Sequence, residues 1–357
     1  MSVPKPRTTH KSVAARFNER NRSSRVTVLK RIIHPGDVNR VRALPALRHI
    51  VVTHTENRTV FLWDTDRQPH RAPADSPKSS QPDLELVGHE ADCSINALDT
   101  SGASLVLSGG VDAIVCGWDV RDDSANKQQS GGLQPRFVLR GHTGPVEDCC
   151  FHPGDAALCC SVSRDRSLIT WDTRIAGPAL KLADAHSDDA NTVAWSALDA
   201  TKIITGGSDR FVHVFDARKL DVPQASVKLG ASVTNVSWSP HTRDTFAVSD
   251  EDATVRVFRC SGGGGGGGGA NLDLLFTHLG HRASANDLAW HPTAPWVLAS
   301  VSDDSSKAGG GMLQIYRVSE FVEKDPVLDA DWSAGLNAML GSRSRANSVQ
   351  SGASDDE

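Results

Sequence analysis

GHTGPVEDCCFHPGDAALCCSVSRDRSLITWDTR, Gly141 to Arg174, is the stretch that decides how this chain folds. It divides into VEDCCFH, the turn HPGD, ALCCSVS, the turn RDR, and SLITWDT. The three runs are short, rich in Val, Leu, Ile, Cys and Ser, and bounded by Pro, Gly and Asp. Such runs are strands, because β-branched and small residues suit a pleated surface and the turn residues stop each run. Nothing in the stretch repeats at helical spacing.

The same phrase returns six times. It opens at His34, His89, His142, His186, Gly230 and His281. It closes at Trp63-Asp64, Trp118-Asp119, Trp171-Asp172, Phe215-Asp216, Phe258-Arg259 and Tyr316-Arg317. Between them run HIVVTHT, SLVLSGG, ALCCSVS, KIITGGS, TFAVSDE and WVLASVS. A period of about 40–60 residues ending in an aromatic-Asp pair marks a radial array of four-stranded units. One such unit cannot bury both its faces, so stability must come from stacking units around an axis. The expected fold is all-β, a β-propeller with six recognisable repeats.

Within a repeat, the opening His, a strand Ser or Thr, the turn Asp and the closing Trp form a chain of hydrogen-bonding groups. The second repeat supplies His89, Ser108, Asp112 and Trp118; the third His142, Ser161, Asp165 and Trp171; the fourth His186, Thr205, Asp209 and Phe215, where the ring has no indole donor. Buried polar groups need partners of this kind. The set has the composition of a Ser-His-Asp triad, but a triad occurs once, at one cleft, and this set recurs. It is expected to be structural, and the chain is expected not to be an enzyme.

At 357 residues the chain is long enough for one large propeller domain, placed at 25–318. Residues 1–24 are basic and polar and are expected to be largely disordered, as is the Ser-rich, acid-ended tail 319–357. Gly262 to Gly269 make a flexible loop within 261–270. Residues 1–31 hold nine Lys/Arg and one acid, a balance of +8; against −5 for the whole chain, the remainder carries −13. An acidic ring suits a basic partner and repels the nucleic acid backbone, so no direct nucleic acid contact is expected. Seven cysteines without a CxxC pair point to reduced, packed thiols, hence the nucleus or cytosol; zinc spacing is missing, and neither a metal nor a cofactor is expected. No run is long and apolar enough to span a membrane as a helix, and no membrane partner is expected.

Longer phrases resemble one family in particular. FNERNRSS, IIHPGDVNRVRALP, THTENRTVFLWD, GHTGPVEDCCFHP, WSPHTRDTFAVSDEDATVRVF and HRASANDLAWHPTAPWVLASVSDD together resemble the histone-binding WD40 proteins. These are the retinoblastoma-binding, or MSI-type, chromatin subunits, and the likeness is strongest to the plant branch that includes the regulator FVE. The resemblance implies a seven-bladed propeller that binds histone tails in deacetylase, Polycomb-type methyltransferase and chromatin assembly complexes, in the nucleus, in transcriptional repression. It further implies that the histone H3 tail meets Asp37, Asn39, Asp92, Glu147 and Asp303 at the strand entrances. Two features depart from the family. The aromatic pair that clamps an Arg of the tail is replaced by Ser94 and Thr234. The groove for the histone H4 helix lacks its walls, so binding of that helix is not expected.

Six repeats stand against the family's seven. Either most of one blade is missing, or RVTVLKRII (25–33) closes a six-bladed ring as the outer strand of the last blade; the order of the loops favours the former. A second function is also open. Trp171, Asp172 and Arg174 form a WDxR box of the sort that docks substrate receptors on a cullin-RING ligase adaptor, with looser copies ending at Arg121 and Arg218.

Overall fold

The computed structural model describes residues 7–8, 28, 30–70, 79–90, 97–121, 132–261, 270–303 and 311–318. Six antiparallel sheets follow one another along the chain. Blade 1 comprises Val38–Leu44, Leu47–Thr55, Val60–Asp64 and Leu84–Leu86, and blade 2 Leu98–Ser101, Leu105–Gly109, Ile114–Asp119 and Phe137–Arg140. Blade 3 comprises Val146–Phe151, Leu158–Ser163, Leu168–Asp172 and Pro178–Leu182, and blade 4 Ala190–Trp195, Lys202–Gly207, Phe211–Asp216 and Ala225–Lys228. Blade 5 comprises Val233–Trp238, Thr245–Asp250, Val255–Ser261 and Asn271–His278, and blade 6 Ala285–Trp290, Val297–Ser302 and Met312–Arg317. Arg7–Thr8 adds a short parallel strand beside Phe276 and Thr277 on the outer edge of blade 5. No helix occurs among the described residues. The all-β propeller expected from the repeats is the fold.

The first strand of each blade lies innermost. Its register shows which end of the ring each loop occupies. Val146 pairs with Ser163, and Val162 with Leu168, so the start of the inner strand and the Asp turn share one end. The Trp-Asp pair lies at the other, where Leu158 faces Asp172. The turn itself recurs: Ala113, Arg166, Arg210 and Ala253 each follow an Asp and each have φ between 58° and 71°. In three of these turns the Asp carboxylate accepts the amide two residues on, at Ile114, Ser167 and Phe211, which draws the intervening residue into the left-handed region.

Apolar clusters join successive blades. Val52, Val60 and Leu62 meet Leu98, Val106 and Trp118 between blades 1 and 2. Leu107 and Val115 meet Cys149, Phe151 and Trp171 between blades 2 and 3. Similar clusters fill the junctions of blades 3 and 4, 4 and 5, and 5 and 6. Each removes apolar surface from water at about 25 cal/mol per Å², which is the main force holding the ring.

The junction of blades 6 and 1 is different. Among the described residues no apolar cluster spans it. Its contacts are polar: Arg40 reaches Asp287 at 3.5 Å and Arg42 reaches the same carboxylate at 3.9 Å. Equivalent positions measure the gap. Val60, Val115, Leu168, Val212 and Val255 stand three residues before the closing aromatic and are at most 1 % exposed, whereas Leu313 is 56 % exposed. One residue before the aromatic, Leu62, Gly117, Thr170, Val214 and Val257 are buried, whereas Ile315 is 58 % exposed. On the facing side, Leu98, Cys149, Val193, Val236 and Leu288 are buried on their inner strands, whereas Val41 is 52 % exposed. These are the two faces that a further blade would cover.

The described part of the stretch 25–33, residues 28 and 30–33, does not close blade 6. Blade 6 has three strands, and none of residues 28 and 30–33 pairs with it. Instead Ile33 exchanges hydrogen bonds with Ser80, its amide to the Ser80 hydroxyl at 3.2 Å and its carbonyl accepting the Ser80 amide at 2.7 Å. Lys30 reaches the Thr65 carbonyl. Lys30 and Ile33 therefore lie along blade 1. The glycine run 262–269, the tail 319–357 and most of 1–24 fall outside the described residues.

Candidate functional site: the acidic end of the ring

The tetrads come first, because they fix which carboxylates are available. In blade 3 the chain of bonds is complete. The Trp171 indole donates to the Ser161 hydroxyl at 2.8 Å, Ser161 bonds His142 Nε2 at 2.7 Å, and His142 Nδ1 meets Asp165 at 3.2 Å. In blade 4 His186 bridges Thr205 at 2.8 Å and Asp209 at 3.0 Å, with Phe215 contributing no donor. Blade 2 corrects the expectation in one link. His89 joins Ser108 and Asp112, but the Trp118 indole donates to the Val87 carbonyl at 3.0 Å. Blade 1 has a partial set that the repeat alignment left unassigned, His34 with Thr53 at 2.7 Å and Trp63 with Thr53 at 2.9 Å.

Burial pushes the Asp165 carboxyl up, but bonds from His142, Ser167 and the Thr143 amide outweigh it and hold the group well below the usual carboxylate range. Asp209 and Asp112 are held low in the same way, by His186 and His89 and by nearby backbone amides. These three carboxylates are ionised, covered and fully engaged. They lock their blades and offer nothing to an incoming ligand.

The acids left over gather at the same end of the ring. Asp37 and Asn39 are exposed at the start of the blade 1 inner strand, and Asp303 is exposed just after Ser302. Glu147 stands at the start of the blade 3 inner strand, with its side chain 13 % exposed and paired to Arg164. Burial raises its pKa, and Arg164 opposes that shift. Arg164 also lies 3.9 Å from Asp189 of blade 4, so one guanidinium bridges two blades. Asp188, Glu251 and Asp252 are exposed at this end as well. Asp188, Asp189, Glu251, Asp252 and Arg164 were not singled out from the sequence. The signal was there: the Asp pair follows the repeat His in HSDD, and EDA stands where the other blades have their Asp turn. Asp92 and Ser94 lie outside the described residues.

Thr234, where the family has an aromatic, is committed internally. It bonds the Ser249 hydroxyl at 2.9 Å and donates to the Ala285 carbonyl, tying blade 5 to blade 6. It presents no aromatic face to a cation.

Beneath this end a polar layer crosses the axis. Arg40, 7 % exposed, reaches Asp148 at 3.3 Å and Asp287 at 3.5 Å. Asp148 also accepts from Thr192 Oγ1 at 2.9 Å and from the Val193 amide at 3.1 Å, and Asp287 accepts from Asn235 at 2.9 Å. Arg40 directly follows the two residues of HPGDVNR picked from the sequence, and it points inward where they stay outside.

At the opposite end the WDxR residues repeat one arrangement. Arg174 forms a two-pronged pair with Asp172, at 2.7 and 2.8 Å, and Arg218 with Asp216, at 2.9 and 2.6 Å. Both guanidiniums are largely exposed. Arg121 instead bonds Asp119 through its backbone amide.

Outside these sets, His186, Asp209 and His213 bring three ligand-type atoms within 4.8 Å of one another. Both nitrogens of His186 are already engaged, by Asp209 and Thr205, so the group is a tetrad with a neighbour. It borders an open groove of about 710 Å³ beside the outer strands of blades 3 and 4.

Comparison with known proteins agrees with this architecture. The WD domain, G-beta repeat family matches residues 133–172 and 272–306. A chain of the solved Mitotic Checkpoint Complex superposes with a TM-score of 0.60 at 19% identity, covering 78% of this chain and 73% of that one, which is a likeness of fold. WD-40 repeat-containing protein MSI4 of Arabidopsis thaliana is 35% identical over 351 residues, covering 90% of this chain and 69% of that protein. With six blades, three locked tetrads and an alignment of this extent, the chain belongs to the MSI-type family of WD-40 repeat proteins.

Proposed function

We propose that this chain is a non-catalytic adaptor whose acidic end binds the histone H3 tail within a nuclear chromatin-modifying or chromatin-assembly complex. Deacetylase, Polycomb-type methyltransferase and assembly complexes, acting in transcriptional repression, are the settings that the family resemblance supports. The observation that carries the reading is the separation of carboxylates. Asp112, Asp165 and Asp209 are consumed in tetrads, while Asp37, Asp188, Glu251 and Asp252 remain exposed around the same end. Lys and Arg of a tail pair with such acids through charge-assisted hydrogen bonds. With no aromatic clamp at Thr234, the binding rests on charge, and added salt weakens it steeply.

Titration of an H3 tail peptide against the full chain tests this. Asp37→Lys and Asp189→Lys each lower affinity severalfold, and 0.5 M salt abolishes binding. Binding that is absent in the unmodified chain, or indifferent to both substitutions and to salt, refutes the reading.

A second reading, a substrate receptor of a cullin-RING ligase, rests on Arg174 and Arg218, two exposed guanidiniums in one repeated geometry at the far end. Co-purification of the ligase adaptor, lost in Arg174→Ala, would favour it.

A further inference from the structure

We propose that Cys150 and Cys160 are a paired dithiol that a peroxide converts, reversibly, to a disulfide across the first two strands of blade 3. Their sulfurs lie 3.2 Å apart. The two residues stand directly opposite one another, Cys150 on the inner strand and Cys160 on the next. Opposed residues of an antiparallel pair have Cα atoms about 4.5–5.5 Å apart, and a disulfide spans about 4.4–6.8 Å, so the bond fits the sheet as it stands.

The runs DCC and LCC bring four cysteines to these strands, and the register selects two of them. Cys149 faces Ser161, and Cys159 faces Phe151. Side chains alternate across a strand. Cys149 and Cys159 therefore pack toward blade 2, whereas Cys150 and Cys160 join the apolar cluster between blades 3 and 4. The sulfurs are not equivalent. Cys160 is fully buried and Cys150 half-buried. A hydrogen bond donated by the Cys160 thiol favours the thiolate at Cys150, while burial opposes it and holds both thiols above the ordinary cysteine value. Cys150 is thus the sulfur that reacts first, slowly at neutral pH, and with a small oxidant that can reach it.

Hydrogen peroxide supplies the oxidising equivalents. The Cys150 thiolate attacks one peroxide oxygen and the O–O bond breaks. Cys150 becomes a sulfenic acid, and the hydroxide released takes up the proton that the thiol gave away. The Cys160 sulfur then attacks the Cys150 sulfur, the S–S bond forms, and the sulfenic hydroxyl leaves as water with the Cys160 proton. Two thiols and one peroxide give one disulfide and two waters. Because the second sulfur already touches the first, closure outruns further oxidation to the sulfinic acid. A dithiol reductant reverses it by exchange.

Peptide mapping of the full chain reads this out. The reduced protein is treated with excess hydrogen peroxide, its remaining thiols are alkylated, and it is cut with trypsin and an Asp-specific protease without reduction. The cuts separate Asp148–Gly154 from Asp155–Arg164. The expected product is these two peptides joined, with Cys149 and Cys159 alkylated and Cys150 and Cys160 not. Fragmentation of the joined peptides in the parent assigns the sulfurs without any substitution. Dithiothreitol before alkylation restores both free thiols. Cys150→Ala and Cys160→Ala each lose the link, whereas Cys149→Ala keeps it, and near-UV circular dichroism checks that each variant is folded. Four alkylated thiols after peroxide overturn the proposal. So does a sulfinic acid at Cys150 without a link, or a link made through any other cysteine.

Discussion

Leu168 and Leu313 are the same residue type at the same place in the repeat, three positions before Trp171 and Tyr316, yet one is fully buried and the other 56 % exposed. Replacing each with Ala therefore isolates what a covering blade contributes. Leu168→Ala removes a side chain from the packed junction of blades 3 and 4 and leaves a cavity, a change that costs about 2.7–5 kcal/mol. Leu313→Ala opens no cavity. It loses less than half of a transfer free energy of about 1.5–3 kcal/mol, or roughly 1 kcal/mol. For a ring of this size about 1 kcal/mol shifts Tm by about 2 °C. Differential scanning fluorimetry at about 1 µM should show Leu168→Ala melting about 5–10 °C below the parent and Leu313→Ala about 2 °C below. Equal losses at 1 µM would refute the reasoning, since they would mean that the forward face of blade 6 is covered within a single chain.

Asp165→Asn keeps the shape of the blade 3 tetrad but removes the charge that His142, Ser167 and Thr143 stabilise, and should cost about 1.5–3 kcal/mol by urea denaturation. In the parent the carboxyl is held low, so its contribution is complete above about pH 4 and declines as pH falls further toward the folded value. His213 acts at higher pH. Burial, with His186 beside it, pushes its pKa down to about 4, so the unfolded chain takes up a proton first and stability falls as pH drops from about 6.5 toward 4. A shift of that size corresponds to about 3 kcal/mol, reduced to about 1–2 kcal/mol by solvent screening of a partly exposed ring. His213→Phe should flatten the decline in Tm between pH 7.5 and pH 5, and an unchanged decline would remove His213 as its source.

The fold was legible because each blade repeats the same local chemistry. The turn Asp, the left-handed residue after it and the closing aromatic are neighbours in sequence, so Asp112, Asp165 and Asp209 could be assigned without coordinates. The site was less legible because it depends on how loops from different blades converge. Glu147 could be named from GPVED, but its bond to Arg164, and the reach of Arg164 to Asp189, are contacts across seventeen and more residues. Arg40 shows the same limit. Its neighbours Asp37 and Asn39 stay outside, while a register shift between Val38 and Arg40 turns the next side chain toward the axis. The Trp118 indole went to a carbonyl rather than to Ser108 because Val87 lies within its reach. Pattern alone cannot rank two acceptors. The open seam was foreseeable as a repeat count of six, but not which faces stay wet.

Stability and recognition draw on the same residue type at one end of this ring, and the opening His decides between them. Where His89, His142 and His186 are present, the turn Asp is drawn inward, with side-chain exposure of only 4–7 %. In blade 5 the opening position is Gly230, and the turn residue Asp252 stands exposed. Loss of the imidazole thus converts a locking carboxylate into a surface one, and the blade replaces the lock with Asp250, buried and bonded to Thr254 and Arg256. A fold that repeats its polar relay more often than it needs can release individual acids this way. The negative charge at that end then rises without a buried charge being left unpaired, which is the change that would destabilise the ring most.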